Sequence, residues 1–239
     1  VQSVASALAR EEWGRDLDGL HVVISAGGTR EAIDPVRVLT NHSTGKQGVA
    51  LAHAALLRGA RVTLIAANVS LELPTGARIV RVDSAADLAE AVEKETSNAD
   101  VLVMAAAVSD FTADAAGAKV KKDESRSGLS LHLTETQDVL RTAVERRSKG
   151  SGARIIVGFA AETGDESASA LEHARAKAQR KGADLLAFND LTAFAFGSDS
   201  NHVTLLGSDG GTVGECEGSQ DAVAHGIWNA VVHRLRNNN

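Results

Sequence analysis

Six short apolar runs, spaced along the chain with helix-like stretches among them, constrain this sequence more than any other feature. The runs are Leu20–Ile24, Arg61–Ala66, Ile79–Val82, Val101–Ala105, Arg154–Phe159 and Asp184–Phe188. The helix-like stretches are Gly48–Arg58, Ala85–Thr96, Val139–Arg147 and Glu166–Arg180. Continuous apolar strands are buried on both faces, so they need helices above and below. Strands alternating with helices predict βαβ units, a mostly parallel sheet and right-handed crossovers.

Two regions break this rhythm. Lys119–Leu133 reads KVKKDESRSGLSLHL, two alternating arms around Ser-Arg-Ser-Gly, which predicts a β-hairpin arm rather than a crossover. Val203–Glu215 carries VTLL, the turn Ser208-Asp209-Gly210-Gly211, then TVGE, and predicts an antiparallel edge on the sheet. The final segment, Gln220–Arg236, spaces Val223, Ile227, Ala230, Val231 and Leu235 as a helix does. The expected class is α/β, a Rossmann-like three-layer sandwich with a mostly parallel sheet, a hairpin arm and an antiparallel edge. Residues 1–18 read as a leading helix and linker, 19–236 as one domain, and 237–239 as a frayed tail.

A chain of 239 residues, 44% hydrophobic and 23% charged, can bury a sizeable core. A net charge of −6 argues against a nucleic-acid partner. No apolar run reaches membrane-spanning length. One cysteine, Cys216, excludes an internal disulfide framework and fits a reducing, cytoplasmic setting. The eight histidines lack metal-ligand spacing. The chain has no tyrosine, so a Tyr-x-x-x-Lys reductase mechanism is impossible.

The chemistry concentrates in LHVVISAGGTREAIDPVRVLTNHSTGKQG, residues 20–48. A strand feeds the small-residue turn at Gly27 and Gly28. A long polar loop follows, with Arg30, Asp34, Arg37 and Asn41. A second turn, Ser43-Thr44-Gly45-Lys46, then opens a helix. Such turns leave backbone N–H groups that favour an anion, which suggests a phosphate-bearing ligand. The stretch is neither G-x-G-x-x-G nor a Walker A loop, because no third glycine follows Gly28 and Gln47 stands after Gly45-Lys46.

Other strand ends add candidates. Ala105-Ala106-Ala107 would let a ligand approach the backbone, and Asp110 follows closely. Phe159 and Glu162 close the run GFAAET. Lys119 and Lys121 alternate on the arm, and Lys177 and Lys181 share a helix face at i and i+4. A lysine about 4 Å from a phosphate gains roughly 4 kcal/mol at an effective dielectric near 20. The plainer reading of each pair is a solvated edge or helix end.

Taken together, SAGGTREAIDPVRVLTNHSTGKQG, AAAVSDF, KVKK, GFAAET and ARAKAQRKGADLLAFND resemble the bacterial phosphopantothenoylcysteine synthetases, in order and spacing across residues 19–235. The resemblance implies a ligase of coenzyme A biosynthesis. Such an enzyme joins 4′-phosphopantothenate to L-cysteine with CTP, through an acyl-cytidylate, and releases CMP and pyrophosphate. It implies Mg²⁺ or a similar divalent cation held mainly by the triphosphate, with ribose, base and metal all open as the group that Asp110 contacts. By motif, Asn41 matches the asparagine that holds the activated acyl phosphate, and Lys119 the lysine of nucleotide binding and the cysteine-dependent step. Arg37 is similar to the arginine on the phosphopantothenate side, and Ala106 and Ala107 border the intermediate. Gly27, Gly28, Asp110, Phe159, Lys177 and Lys181 match or adjoin nucleotide-contacting positions.

The resemblance further implies a homodimer. It also implies native fusion to a flavin-dependent decarboxylase half, with no flavin on this chain and residues 1–19 as the tail of a linker. Ala32 departs from the proline of many members, and Thr134-Glu135-Thr136-Gln137 falls in a variable nucleotide-proximal segment. The competing readings are an NAD(P)-dependent oxidoreductase and a nucleotide-sensing module without turnover.

Overall fold

The structure, a computed structural model, describes residues 14–121, 128–165, 167–190 and 200–237. Each apolar run becomes a strand: β1 (His21–Gly27), β4 (Arg61–Ala67), β5 (Arg78–Val82), β6 (Val101–Met104), β9 (Ile155–Glu162) and β10 (Leu185–Asp190). With β11 (Ser200–Gly207) and β12 (Thr212–Ser219) they form an eight-stranded sheet in the order β12-β11-β10-β9-β6-β1-β4-β5. The pairs β1–β4, β4–β5, β1–β6, β6–β9 and β9–β10 are parallel. The pairs β10–β11 and β11–β12 are antiparallel, which is the edge expected from Val203–Glu215.

Helices cover both faces. α1 (Lys46–Leu57) and α5 (Gln220–Asn237) lie on one face; α2 (Ala85–Thr96), α3 (Val139–Ser148) and α4 (Ala170–Lys181) lie on the other. Alternation along β1 divides the core. Val22 and Ile24 pack with Leu51, Ile227 and Trp228, whereas Val23 packs with Leu88, Leu102 and Ile156. The Trp228 indole N–H donates to the Leu51 carbonyl at 2.9 Å, so its one polar atom is satisfied in the core.

Three expectations are revised. The polar loop after Gly28 contains a small hairpin, β2 (Arg30–Asp34) against β3 (Arg37–Thr40). The arm also pairs elsewhere: its ladder joins β7 (Phe111–Ala113) to β8 (Leu133–Glu135). The described flanks Lys119–Lys121 and Gly128–His132 carry no strand, and the turn between them lies outside the described residues. Finally, Leu17 is fully buried and Asp16 pairs with Arg58, so packing begins before residue 19. The expected leading helix lies outside the described residues. α5 runs to Asn237, and the last two residues of the expected frayed tail also lie outside them.

The chain order places a switch point in the sheet. From β1 it runs outward to β4 and β5, then returns to β6 on the other side of β1. The loops leaving β1 and β6 therefore part above neighbouring strands, where open α/β sheets bind ligands.

Candidate functional site

A cavity of about 1150 Å³ opens beyond the carboxyl ends of β1, β6, β9 and β10. Ligand pockets commonly measure roughly 300–1,000 Å³, so this cavity is at the roomy end of that range. Asn41, Ala106, Ala107, Asp110, Phe159, Lys177 and Lys181 all line it.

Each wall has a local cause. The first is the N-terminus of α1. Gly45 starts that helix at φ 77 and, as its N-cap, has no side chain to accept an N–H; the Thr44 hydroxyl accepts the Lys46 N–H at 3.3 Å. Ser43 through Gly48 line the cavity there, so the positive end of the helix meets the space where an anion is favoured. Gly48 allows this approach: an added Cβ would stand 2.5 Å from the Ala26 Cβ.

The second wall is the loop after β6. The buried Ser25 hydroxyl accepts the Ala106 N–H at 3.1 Å, and the buried Thr29 hydroxyl accepts the Ser109 N–H at 2.9 Å. Asn41 crosses from the first wall to the second: its side-chain N–H donates to the Val108 carbonyl at 3.1 Å. A third loop, leading into α3, hangs from the second. Thr136 donates its hydroxyl to the Ser109 carbonyl at 2.6 Å and its N–H to the Asp110 carbonyl at 2.9 Å. Asp110, Glu135 and Asp138 are all lining residues.

The two helix lysines form the basic wall. Lys177 donates to Glu162 at 2.7 Å, and Lys181 donates to Asp138. Asp138 also caps α3 by accepting the Arg141 N–H at 3.0 Å. Burial pushes the Asp138 carboxyl up, but the Lys181 ammonium and the Arg141 N–H outweigh it and hold it below the usual carboxylate range. The lysine side chains retain only 28% and 17% of their exposure, so they are partly buried groups of the cavity wall rather than solvated helix ends.

Four of the residues matched by motif, Gly27, Gly28, Arg37 and Lys119, stand outside this lining, as do Lys121 and Glu162. Gly27 and Gly28 lie beneath it, and their neighbourhood is closed to an anion. The Gly28 N–H donates to the Ala67 carbonyl at 2.9 Å and the Thr29 N–H to the Ala107 carbonyl at 3.2 Å. A Cβ on Gly27, at φ 91, would sit 1.9 Å from the Ala67 oxygen. The first turn is therefore a close-packing device, and the second turn is the one that opens to the cavity. Arg37 pairs with Asp34 at 2.8 Å and donates to the Val120 carbonyl. Lys119 is exposed beside that contact.

The reverse also occurs. Asn189, Asn201 and Gln220 line the cavity, although the sequence reading gave them no role. Asn189 ends an apolar strand, and that was a usable signal. Asn201 and Gln220 arrive from the edge strand and the last helix, which only tertiary folding brings here.

Among the described residues no three His, Cys, Asp or Glu side chains cluster as a metal cage. Mg²⁺ usually takes one or two carboxylates and fills its remaining positions with phosphate oxygens and water. Asp110 on the cavity lining fits that mode. No helix among the described residues is long and apolar enough to cross a membrane.

Comparison with known proteins agrees with this architecture. The chain is 49% identical over 222 residues to the coenzyme A biosynthesis bifunctional protein CoaBC of Mycobacterium tuberculosis (strain ATCC 25618 / H37Rv), covering 91% of this chain and 53% of that protein. It is 47% identical over 205 residues to the protein of the same name from Bacillus subtilis (strain 168), covering 84% and 48%. The crystal structure of the C-terminal domain of a coenzyme A biosynthesis bifunctional protein CoaBC matches with a TM-score of 0.75 at 32% identity, covering 93% of this chain and 99% of that one. The chain thus spans about half the length of the bifunctional relatives it matches. Residues 17–235 match the family model described as DFP, the DNA/pantothenate metabolism flavoprotein C-terminal domain, and the chain belongs to that family.

Proposed function

We propose that this chain is the phosphopantothenate–cysteine ligase half of a bifunctional coenzyme A biosynthesis protein. The observation that carries the reading is the convergence of Asn41, Ala106, Ala107, Asp110, Phe159, Lys177 and Lys181 on one cavity. A carboxylate is a poor acyl donor and must be activated before an amine can displace its oxygen. In the first step a carboxylate oxygen of 4′-phosphopantothenate attacks the α-phosphorus of CTP, and pyrophosphate leaves. In the second the cysteine amine attacks the acyl carbon, CMP leaves, and the amine's proton passes to solvent or a nearby base.

The chain's own groups have distinct tasks in this reading. Lys177, Lys181 and the N-terminal end of α1 offset the charge of the triphosphate. Phe159 offers an apolar face to the nucleotide, and Ala106 and Ala107 let the intermediate lie close to the backbone. The Asn41 amide donates to the acyl phosphate, where charge builds in both transition states. Asp110 would hold a share of a Mg²⁺ ion carried in with the triphosphate, and that ion would supply positive charge at the phosphates. Lys119 serves the nucleotide and the cysteine-dependent step, from its exposed segment in its own or a second subunit.

A homodimer belongs to the same proposal. Val36, Val38, Phe111, Leu131 and Leu133 are 62%, 46%, 47%, 43% and 37% exposed, on the hairpin and the arm beside it. Exposed apolar side chains on and beside two small antiparallel ladders form a surface that a second copy would cover. Fusion to a flavin-dependent decarboxylase half, supported by the length of the bifunctional relatives, and a cytoplasmic setting, in keeping with the single cysteine, complete the reading.

The deciding experiment is mass spectrometry of the chain with phosphopantothenate, cysteine and each nucleoside triphosphate in turn. The ligase reading expects phosphopantothenoylcysteine, CMP and pyrophosphate in equal amounts with CTP. CTP binding without pyrophosphate release would leave a nucleotide-sensing module. Tight NADPH binding without CTP binding would revive the oxidoreductase.

A further inference from the structure

Asp34 is only 3% exposed, although it sits on a hairpin outside the main sheet. Its Oδ1 accepts the Val36 N–H at 2.8 Å, as an aspartate in a turn commonly does. Its Oδ2 does more: it accepts a guanidinium N–H of Arg37 at 2.8 Å and the N–H of Val120 at 3.1 Å. Arg37 in turn donates from both terminal nitrogens to the Val120 carbonyl, each at 3.2 Å. Both backbone groups of Val120 are thus held by one turn that is more than eighty residues away in sequence.

Turn formation explains the Val36 bond but not the other contacts. A second anchor lies four residues before Val120, where the Ala116 N–H donates to the Ile33 carbonyl at 2.9 Å. Lys119 stands between these anchors, on a segment with no strand pairing of its own. Burial pushes the Asp34 carboxyl up, but the N–H groups of Val36 and Val120 and the Arg37 charge hold it below the usual range. It therefore remains an anion able to accept all of these bonds at neutral pH.

We propose that Asp34 and Arg37 are positioning residues: they clamp the backbone of Val120 and so fix the place from which Lys119 acts. The proposal rests on the reading that Lys119 takes part in the ligase reaction.

A double-mutant cycle in the intact chain tests it, with Asp34→Asn, Lys119→Gln and their combination assayed for cysteine-dependent product formation. Asp34→Asn puts an amide where a charged acceptor stood and is expected to slow turnover roughly tenfold. The double variant is expected to be no slower than Lys119→Gln within about twofold, because both changes remove the same contribution. Hydrogen exchange of the Val120 amide should speed up in Asp34→Asn. Multiplying losses, or an unchanged Val120 exchange rate, overturns the clamp. Normal turnover by Lys119→Gln would instead overturn the reading of Lys119, a result separable from the exchange measurement. If Asp34→Asn fails to fold, Arg37→Gln takes its place in the cycle. Arg37→Lys should then recover part of the rate, and no recovery counts against the clamp.

Discussion

Asn41 and Lys119 carry the sharpest consequences at the scale of single residues. Asn41 is exposed, and its one side-chain bond joins two loops. Asn41→Asp turns a donor into a carboxylate beside the Val108 carbonyl and removes the group assigned to the acyl phosphate. Loss of a transition-state donor costs about 10²–10³ in turnover, whereas one net hydrogen bond is worth about 1 kcal/mol. For a chain of this size that corresponds to roughly 2–4 °C in melting temperature. Product formation should therefore collapse while the melting curve hardly moves; the reverse pattern would make Asn41 a structural residue. Lys119 was legible as a basic group in KVKK, but nothing in that string identifies Asp34 and Arg37 as the groups that hold the adjoining backbone. Likewise Gly27-Gly28 and Ser43–Lys46 look alike as glycine turns. What separates them is whether a neighbouring carbonyl already takes the N–H, as the Ala67 and Ala107 carbonyls do at the first turn.

At the scale of elements, α1 depends on how close it lies to β1. Gly48→Ala would place a methyl 2.5 Å from the Ala26 Cβ, with the Ser25 carbonyl oxygen at 3.0 Å, and neither neighbour can rotate away. Overpacking of this kind costs about 1–3 kcal/mol. A fall of roughly 2–12 °C in melting temperature follows, together with weaker CTP binding as the helix start shifts; an unchanged melting curve would refute the packing argument. The caps make a prediction about acid. Asp87 and Glu172 close reciprocal capping boxes with Ser84 and Ser169, and the N–H groups they accept hold both below the ordinary values of 3.8 and 4.5. Asp165 is lowered too, first by the Ser167 hydroxyl and then by backbone N–H groups. Each carboxylate binds its proton more weakly folded than unfolded, so the unfolded chain gains protons as pH falls. The stabilisation is complete above the ordinary values and is lost as pH falls through the lowered ones. Thermal melting across pH should be level above about pH 5 and decline below about pH 4. The hairpin β2–β3 escaped the sequence reading because its pattern is inverted. Glu31 and Asp34 are buried while Val36 and Val38 face outward, and Glu31 accepts the distant Ala85 N–H at 2.9 Å.

The whole molecule is joined at its start as well as through its sheet. Asp16 holds the fully buried Arg58 through two hydrogen bonds, at 2.8 and 2.6 Å, and Arg58 also donates to the His225 carbonyl at 3.1 Å. This one guanidinium connects the entering chain to α1 and α5. Asp16→Ala would leave a buried charge without its counterion, a loss of about 3–5 kcal/mol, read directly as a lower midpoint in urea unfolding. Assembly is tested at the same scale. Sedimentation at micromolar concentration should give twice the chain mass. Val38→Glu, which adds charge to the exposed apolar row, should shift the protein to monomer without lowering its melting temperature by more than a few degrees. A wild-type monomer would remove the dimer from the proposed function.

Strand and helix positions were written in the sequence because hydrophobic periodicity is a local property. Burial on two faces demands continuous apolar runs, and burial on one face demands helical spacing, whatever the rest of the chain does. The family motifs were also local, so the residues that converge on the cavity could be named in advance. Which of them would meet was decided by strand order, since the reversal between β1 and β6 parts two loops and brings α4 and α5 to the same opening. Whether a polar group faces that opening or is consumed within the protein depends on partners far away in sequence. That is why Lys177 and Lys181 reached the cavity wall, each beside a carboxylate, while the N–H groups of Gly28 and Thr29 went to carbonyls and Arg37 to Asp34 and the Val120 carbonyl, partners that only the folded chain supplies.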